Sequence, residues 1–155
     1  MQTQYTIRRA PPSDAARLTR LARASKAHWG YPKKWLDLWQ ADLVVTSETI
    51  RRAIGYVAEV GEEIIGFWVR MALDSELPTP GWLFIDPRYM GQGVARALWA
   101  EVRKEAAERG IESFVIEADP NAVGFYLGLG AERIDQKESS VIPGRIIPIL
   151  RLPIR

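Results

Sequence analysis

The chain has 155 residues, 47% of them hydrophobic and 26% charged, a length that fits one domain over residues 1–155 and can bury roughly 68–70% of its unfolded surface. It has no cysteine and one histidine, His28, which excludes disulfides, thiolate metal clusters, a cysteine nucleophile and a multi-histidine centre, so no metal is expected. A net charge of +2 is no nucleic-acid footprint, the first residues hold no apolar signal core, and no apolar run nears the ~18 residues that span a bilayer; a soluble, cytoplasmic protein with neither nucleic-acid nor membrane partners is expected.

Tyr5–Arg9 is rich in β-formers and predicts a short strand, stopped by Pro11-Pro12. Ser13 is placed to cap a helix from Asp14 to about His28, on which Leu18, Leu21, Ala22 and Ser25 share one face. Arg17, Arg20, Arg23 and Lys26 fan across the other, as in a solvated helix face or, alternatively, one that attracts an anionic ligand. These cations belong to an uneven distribution, since residues 1–52 hold ten Lys/Arg against four Asp/Glu and the remainder eleven against fifteen. After Gly30 and Pro32 a second helical stripe runs through Trp35, Leu38, Trp39 and Asp42/Leu43, and Thr46–Ile54 predicts a short helix started by Thr46 or Ser47.

The period then changes to that of strands. Tyr56–Val60, a turn at Gly61-Glu62 and Ile64–Leu73 predict a β-hairpin, followed by a proline-bearing loop over Ser75–Gly81. Trp82–Ile85 predicts a short apolar strand ended by Asp86-Pro87. Gly91-Gln92-Gly93 opens a long helix, Val94–Arg109, closed by Gly110. Ser113–Glu117 predicts a strand, Asn121–Leu129 a helix, and Glu132–Gln136 and Arg145–Leu152 the last two strands around a Pro143-Gly144 turn. The order specifies a mixed α/β fold (α+β), not a doubly wound alternation.

Residues 82–110 carry the clearest chemistry: an apolar strand, a tight turn, a Gly-x-Gly step and a long helix. Glycines there admit positive φ and close approach to a ligand. The first N–H groups of the helix lack intrahelical partners and carry the positive end of its dipole, which makes an anion site suited to phosphate. No Lys-Ser/Thr follows the glycines and no GxGxxG is present, so neither the P-loop nor the dinucleotide-binding pattern applies.

The stretch Met90-Gly91-Gln92-Gly93-Val94-Ala95 resembles the acyl-CoA signature Gln/Arg-x-x-Gly-x-Gly/Ala of the GNAT superfamily of N-acetyltransferases, with Met90 where Arg or Gln is usual. A second patch, Glu117 to Ala131 with Asn121, Phe125-Tyr126 and Gly130, is similar to the family's later motif. SSVIPGRIIPILRL resembles its final Pro-Gly-Arg hairpin, and SKAHWGYPKKWL is similar to a subgroup of small bacterial members. The resemblance implies a mostly antiparallel central sheet of about six or seven strands with about four helices, and acetyl-CoA as co-substrate. It implies that backbone at Met90, Gly91, Gln92, Gly93, Val94 and Ala95 takes the pyrophosphate, that Leu83, Phe84 and Ile85 pair with the pantetheine arm, and that Asn121 and Phe125 also meet the cofactor.

Tyr126 is the catalytic candidate, because a departing thiolate needs a proton and a phenol of pKa about 10 can give one. Many relatives carry a Glu base on the strand before the turn, but Pro80–Ile85 has no carboxylate. His28, Glu117 and Asp119 are the remaining base candidates beside a water relay. Trp29 and Tyr31, next to Gly30, are candidates for an acceptor pocket, together with His28 and Glu117. The other tryptophans are assigned to core or dimer packing. With no Cys, direct attack in a ternary complex is expected, on behalf of a primary amine of a small molecule or peptide; the alternative is a catalytically weak or inactive acyl-CoA sensor on the same fold. A homodimer is expected on general grounds.

Overall fold

The computed structural model describes residues 4–71 and 77–155. Strand β1 (Thr6–Arg9) leads through a 3-10 turn at Pro12–Asp14 into α1 (Ala15–Ala27), α2 (Lys33–Trp39) and α3 (Ser47–Arg52). Then come β2 (Ile54–Val60), β3 (Glu63–Arg70), the two-residue β4 (Thr79–Pro80), β5 (Trp82–Ile85) and α4 (Val94–Glu108). Strand β6 (Ser113–Glu117), α5 (Val123–Gly128), β7 (Glu132–Glu138) and β8 (Ile146–Pro153) complete the described residues.

These strands form two four-stranded sheets, β1-β2-β3-β5 and β4-β6-β8-β7, rather than one sheet of six or seven. Every pairing is antiparallel except β4 with β6, where Thr79 faces Ile116 and Pro80 faces Glu117. The physical reason for the split lies at Gly81. Its N–H still donates to the Glu117 carbonyl at 3.1 Å, but the next residues, Trp82–Ile85, pair with β3 alone. The chain changes partner within one residue.

The first sheet is covered on both faces. Along β3, Ile65 and Trp68 join α4 (Val94, Leu98, Trp99, Val102) in one core, while Ile64, Phe67 and Val69 join α1 and α3 (Leu18, Leu21, Ile50) in the other. A strand buried on both sides reads as a continuous apolar run, and IIGFWV is one. Gly66 interrupts it because a Cβ there would lie 2.8 Å from Ile85 Cδ1 and 3.2 Å from Val94 Cγ1.

Several expectations are corrected. Ser13 caps nothing: it lies in the 3-10 turn, and Asp14 takes the cap position with its carboxylate drawn into ion pairs with Arg8 (3.1 Å) and Arg17 (3.2 Å). Helix α2 stops at Trp39, whose carbonyl accepts from both Asp42 and Leu43 N–H in a closing turn, so the stripe does not run on to Leu43. Thr46 does start α3, its hydroxyl accepting from Thr49 N–H. The loop expected over Ser75–Gly81 contains β4, and its first two residues, like the Ala72-Leu73 end of the expected hairpin, lie outside the described residues. The helix expected from Asn121 begins as a 3-10 turn, Pro120–Ala122, and becomes α-helical at Val123.

Candidate active site

Where β5 leaves β6, a cleft of about 760 Å³ opens between the two sheets. One wall is β5: its edge toward β3 is paired and its other edge is not, so backbone groups of Leu83, Phe84 and Ile85 remain available along the cleft. At one end lie Met90, Gly91, Gly93, Val94 and Ala95. Gly91 and Gly93 adopt φ of +77° and +83°, the left-handed region that a side chain resists, and a Cβ on either would meet no atom of the protein within 4 Å. The first rung of α4 runs from Ala97 N–H to the Gly93 carbonyl. The N–H groups of Val94, Ala95 and Arg96 are therefore without helix partners. They face the positive end of the helix dipole, the kind of terminus that favours an anion. Gln92 does not line the cleft; its amide folds back to donate to the Arg88 carbonyl at 3.3 Å.

The other end is built from side chains. Asp119, two residues beyond β6, accepts from Tyr31 Oη (2.9 Å), from Asn121 N–H (2.8 Å), from the Lys26 ammonium and, at 3.4 Å, from Arg145. Asn121 Nδ2 donates in turn to Tyr31 Oη at 2.8 Å. Lys26 stands 4.3 Å from the centroid of Trp39 and Arg145 4.9 Å, so both cations pack on one indole. Burial pulls the Lys26 ammonium below its usual pKa, against the opposing pull of Asp119. Burial works to raise the Asp119 carboxyl, but Lys26 and the donated hydrogen bonds outweigh it and hold it low. Burial and Asp119 together push the Tyr31 phenol up.

Lys26 corrects the picture of a solvated face on α1. Its side chain is 11% exposed, and it lines the cleft beside Ser25. The apolar face of α1 stands as expected, with Leu18, Leu21, Ala22 and Ser25 buried. Trp39, assigned to packing, is buried and also forms cleft wall; Trp68, Trp82 and Trp99 do belong to the cores. Trp29 lines the cleft with 45% of its surface exposed. His28 does not: it closes α1, exposed, with its ring edge-on to Trp29. A helix end attracts a donor there, and His28 N–H is spent on the Ser25 carbonyl. Glu117 lines the cleft, paired with Lys137 at 2.6 Å.

Tyr126 sits deeper than a pocket side chain. It is 1% exposed, packed against Trp68 and Phe125, and its hydroxyl has no hydrogen-bond partner among the described residues. That hydroxyl lies directly under Gly81, where a Cβ would come within 2.7 Å of it. Burial, reinforced by the Asp119 charge and opposed by Arg70, pushes the phenol far above its usual pKa. Phe125 and Asn121 line the cleft itself. Arg145, Lys26 and Trp39 were not singled out as site residues by the sequence, although the Pro-Gly-Arg hairpin, the cationic face of α1 with the SKAHWGYPKKWL stretch, and the second helical stripe each touched one of them.

Two sheets parting at a glycine, with a glycine-opened helix at one end of the gap, define an acyltransferase-like α/β fold. The chain belongs to the GNAT acetyltransferase family: the model of the acetyltransferase (GNAT) domain matches residues 39–140. Over 109 residues it is 29% identical to the soybean histone acetyltransferase TAP1, covering 66% of this chain and 47% of that one. The chain spans about half the length of the curated relatives it matches. Among solved structures, a GCN5-related N-acetyltransferase from Rhodopseudomonas palustris superposes with a TM-score of 0.80 at 19% identity over 99% of this chain and 98% of its own. The PaiA N-acetyltransferase of Thermoplasma acidophilum, solved with coenzyme A, does so with 0.76 at 20% over 97% and 99%. Among the described residues no helix is long and apolar enough to cross a membrane, and no group of three or more His, Asp or Glu could hold a metal ion.

Proposed function

We propose that the protein is an acetyl-CoA-dependent N-acetyltransferase acting on a primary amine. The observation that carries this reading is the pairing of a free strand edge with an anion-binding helix start in one cleft. The two features suit the two halves of coenzyme A, an amide-bearing arm and a pyrophosphate. The coenzyme A in the Thermoplasma neighbour agrees with that fit.

Acetyl-CoA would supply an activated thioester, from which the amine takes the acetyl group: a C–N bond forms, the C–S bond breaks, the nitrogen gives up a proton and the thiolate gains one. The chain's own residues orient this exchange. Backbone of Leu83–Ile85 holds the arm along β5, and the N–H groups of Gly91, Gly93, Val94 and Ala95 hold the phosphates. Tyr126 lies under Gly81, where the strands part, as the candidate donor to the leaving sulfur; the burial that raises its phenol keeps it protonated but also makes it a weaker acid than a free tyrosine. Glu117, at the end of β6, lines the cleft and leads the amine's proton to water.

The burial of Tyr126 favours a competing reading, a protein that binds acyl-CoA without turnover. Calorimetry with acetyl-CoA tests the first part. Micromolar binding is expected, and it is lost in Gly93→Pro because proline cannot take the φ of +83° found there. A screen of amines against the bound donor tests the second part. Binding without any turnover would leave the sensor; no binding would overturn both.

A further inference from the structure

Resting on the acetyltransferase reading, we propose that Arg145 and Lys26 form a seat for an anionic group of the acceptor, so that the substrate is an amine that also carries a carboxylate or phosphate. Both cations line the cleft, with side chains only 9% and 11% exposed. They share one half-buried partner, Asp119. That carboxylate is already engaged by three other donors, Lys26 on Oδ2 and Tyr31 and the Asn121 N–H on Oδ1.

Arg145 is left loosely held. Among the described residues its only hydrogen bonds are both from Nη2, at 3.3 Å to Tyr31 Oη and 3.4 Å to Asp119, beyond the usual 2.7–3.2 Å range. Nε and Nη1 have no protein acceptor among the described residues, and neither atom is sealed from the cleft. A guanidinium fixed on an indole face with a free edge is suited to bidentate capture of an oxyanion. The second cation raises the local field at the same spot, while the remaining cleft carboxylates lie apart: Glu117 is held by Lys137, and Asp42 is exposed at the rim.

The placement gives the seat a use. Asp119 is two residues beyond Glu117, whose carbonyl marks the strand parting. Two residues of chain reach about 7 Å. Asp119, the partner the two cations share, therefore stays within that reach of the strand parting, in the same cleft, which suits a compact amine such as an amino acid or a small phosphoamine. A polyamine would meet two cations there and be repelled.

Product analogues test this without turnover. The tryptophan fluorescence of the full chain, with Trp39 against Arg145, is titrated with N-acetylglycine, N-acetyl-γ-aminobutyrate, Nε-acetyllysine and N-acetyl-phosphoethanolamine, each beside its uncharged amide or alcohol counterpart. Titrations are run with and without coenzyme A, so a failure to bind the coenzyme, which would sink the enzyme reading, is seen separately. At least one anion is expected to bind about ten- to a hundredfold tighter than its neutral counterpart. In Arg145→Gln that advantage is expected to vanish; Arg145→Lys, which keeps the charge without the fork, keeps a reduced one. A phosphate member that outranks the carboxylates, or the reverse, tells which anion the seat takes. Equal binding of the neutral counterparts, an undiminished advantage in Arg145→Gln, or no binding of any anion by about 10 mM would overturn the proposal.

Discussion

Replacing Tyr126 by Phe separates two roles that a single side chain can hold. The hydroxyl is buried without a partner, and an orphaned polar group of that kind costs about 1–3 kcal/mol. Deleting it should therefore leave the fold as stable or raise its stability by about 1 kcal/mol. For a chain of this size that is a melting shift of about 2–4 °C upward. The ring stays to pack against Trp68 and Phe125. If the hydroxyl protonates the leaving thiolate, turnover should fall by about 100- to 10,000-fold while coenzyme A affinity holds. The linkage has a definite sign as well. The folded phenol titrates above its unfolded value, so its contribution is complete below about pH 10 and is lost as pH rises beyond that. The variant should accordingly lose less stability than the wild type between neutral pH and pH 11. Thermal melts across pH, together with a thiol-release assay, make both measurements. A melting point several degrees lower would show that the hydroxyl has a partner after all, and unchanged turnover would remove Tyr126 from the chemistry.

Gly81→Ala should destabilise by about 1–3 kcal/mol, because its Cβ would stand 2.7 Å from Tyr126 Oη and 3.1 Å from Ile116 Cγ2. In the double variant with Tyr126→Phe the first clash disappears, so urea midpoints should show the two changes to be strongly non-additive. Asp119→Asn strands Lys26 and Arg145 beside each other and should cost roughly 3 kcal/mol, the low end for a broken buried pair because Asp119 keeps some exposure. Since the folded Asp119 titrates low, its contribution is present above the unfolded value of about 3.9 and fades as pH falls through the folded one. The gap between wild type and variant should therefore narrow below pH 4 in denaturation curves; a constant gap would refute the charge argument.

Much of the frame was legible because local signals set it. Trp82–Ile85 and Ser113–Glu117 are short apolar runs with hard stops, Asp86-Pro87 and the Asp119-Pro120 turn, and both strands lie where their sequences predict. Gly91 and Gly93 announced the start of α4 through the φ they must adopt. What stayed hidden was non-local. Strand β4 is two residues, one a proline, and exists only through pairing with β6 more than thirty residues on. Lys26 lies on the polar side of an isolated α1, and only the arrival of Trp39 and Asp119 turns its aliphatic stem and ammonium inward. Helical spacing puts Tyr126 and Phe125 side by side, but their difference in depth follows from Gly81 passing over one ring and the cleft opening beside the other.

The two ends of the cleft answer to different parts of the sequence. At the α4 end the recognising groups are backbone: the free N–H groups after Gly93 and the unpaired edge of β5. An exposed strand edge in a cleft must find partners in water or in a ligand with amides of its own. Side-chain changes there, Met90 included, alter little so long as the two glycines hold their φ. At the other end Lys26 of α1, Tyr31 of the α1–α2 loop and Arg145 of the turn before β8 are tied through one carboxylate, with both cations packed on Trp39 of α2. One substitution there changes the local charge by a full unit without touching either core. A fold arranged this way can keep its acyl donor while exchanging its acceptor, so the acceptor is to be sought by varying charge at Arg145 rather than shape at the glycine turn.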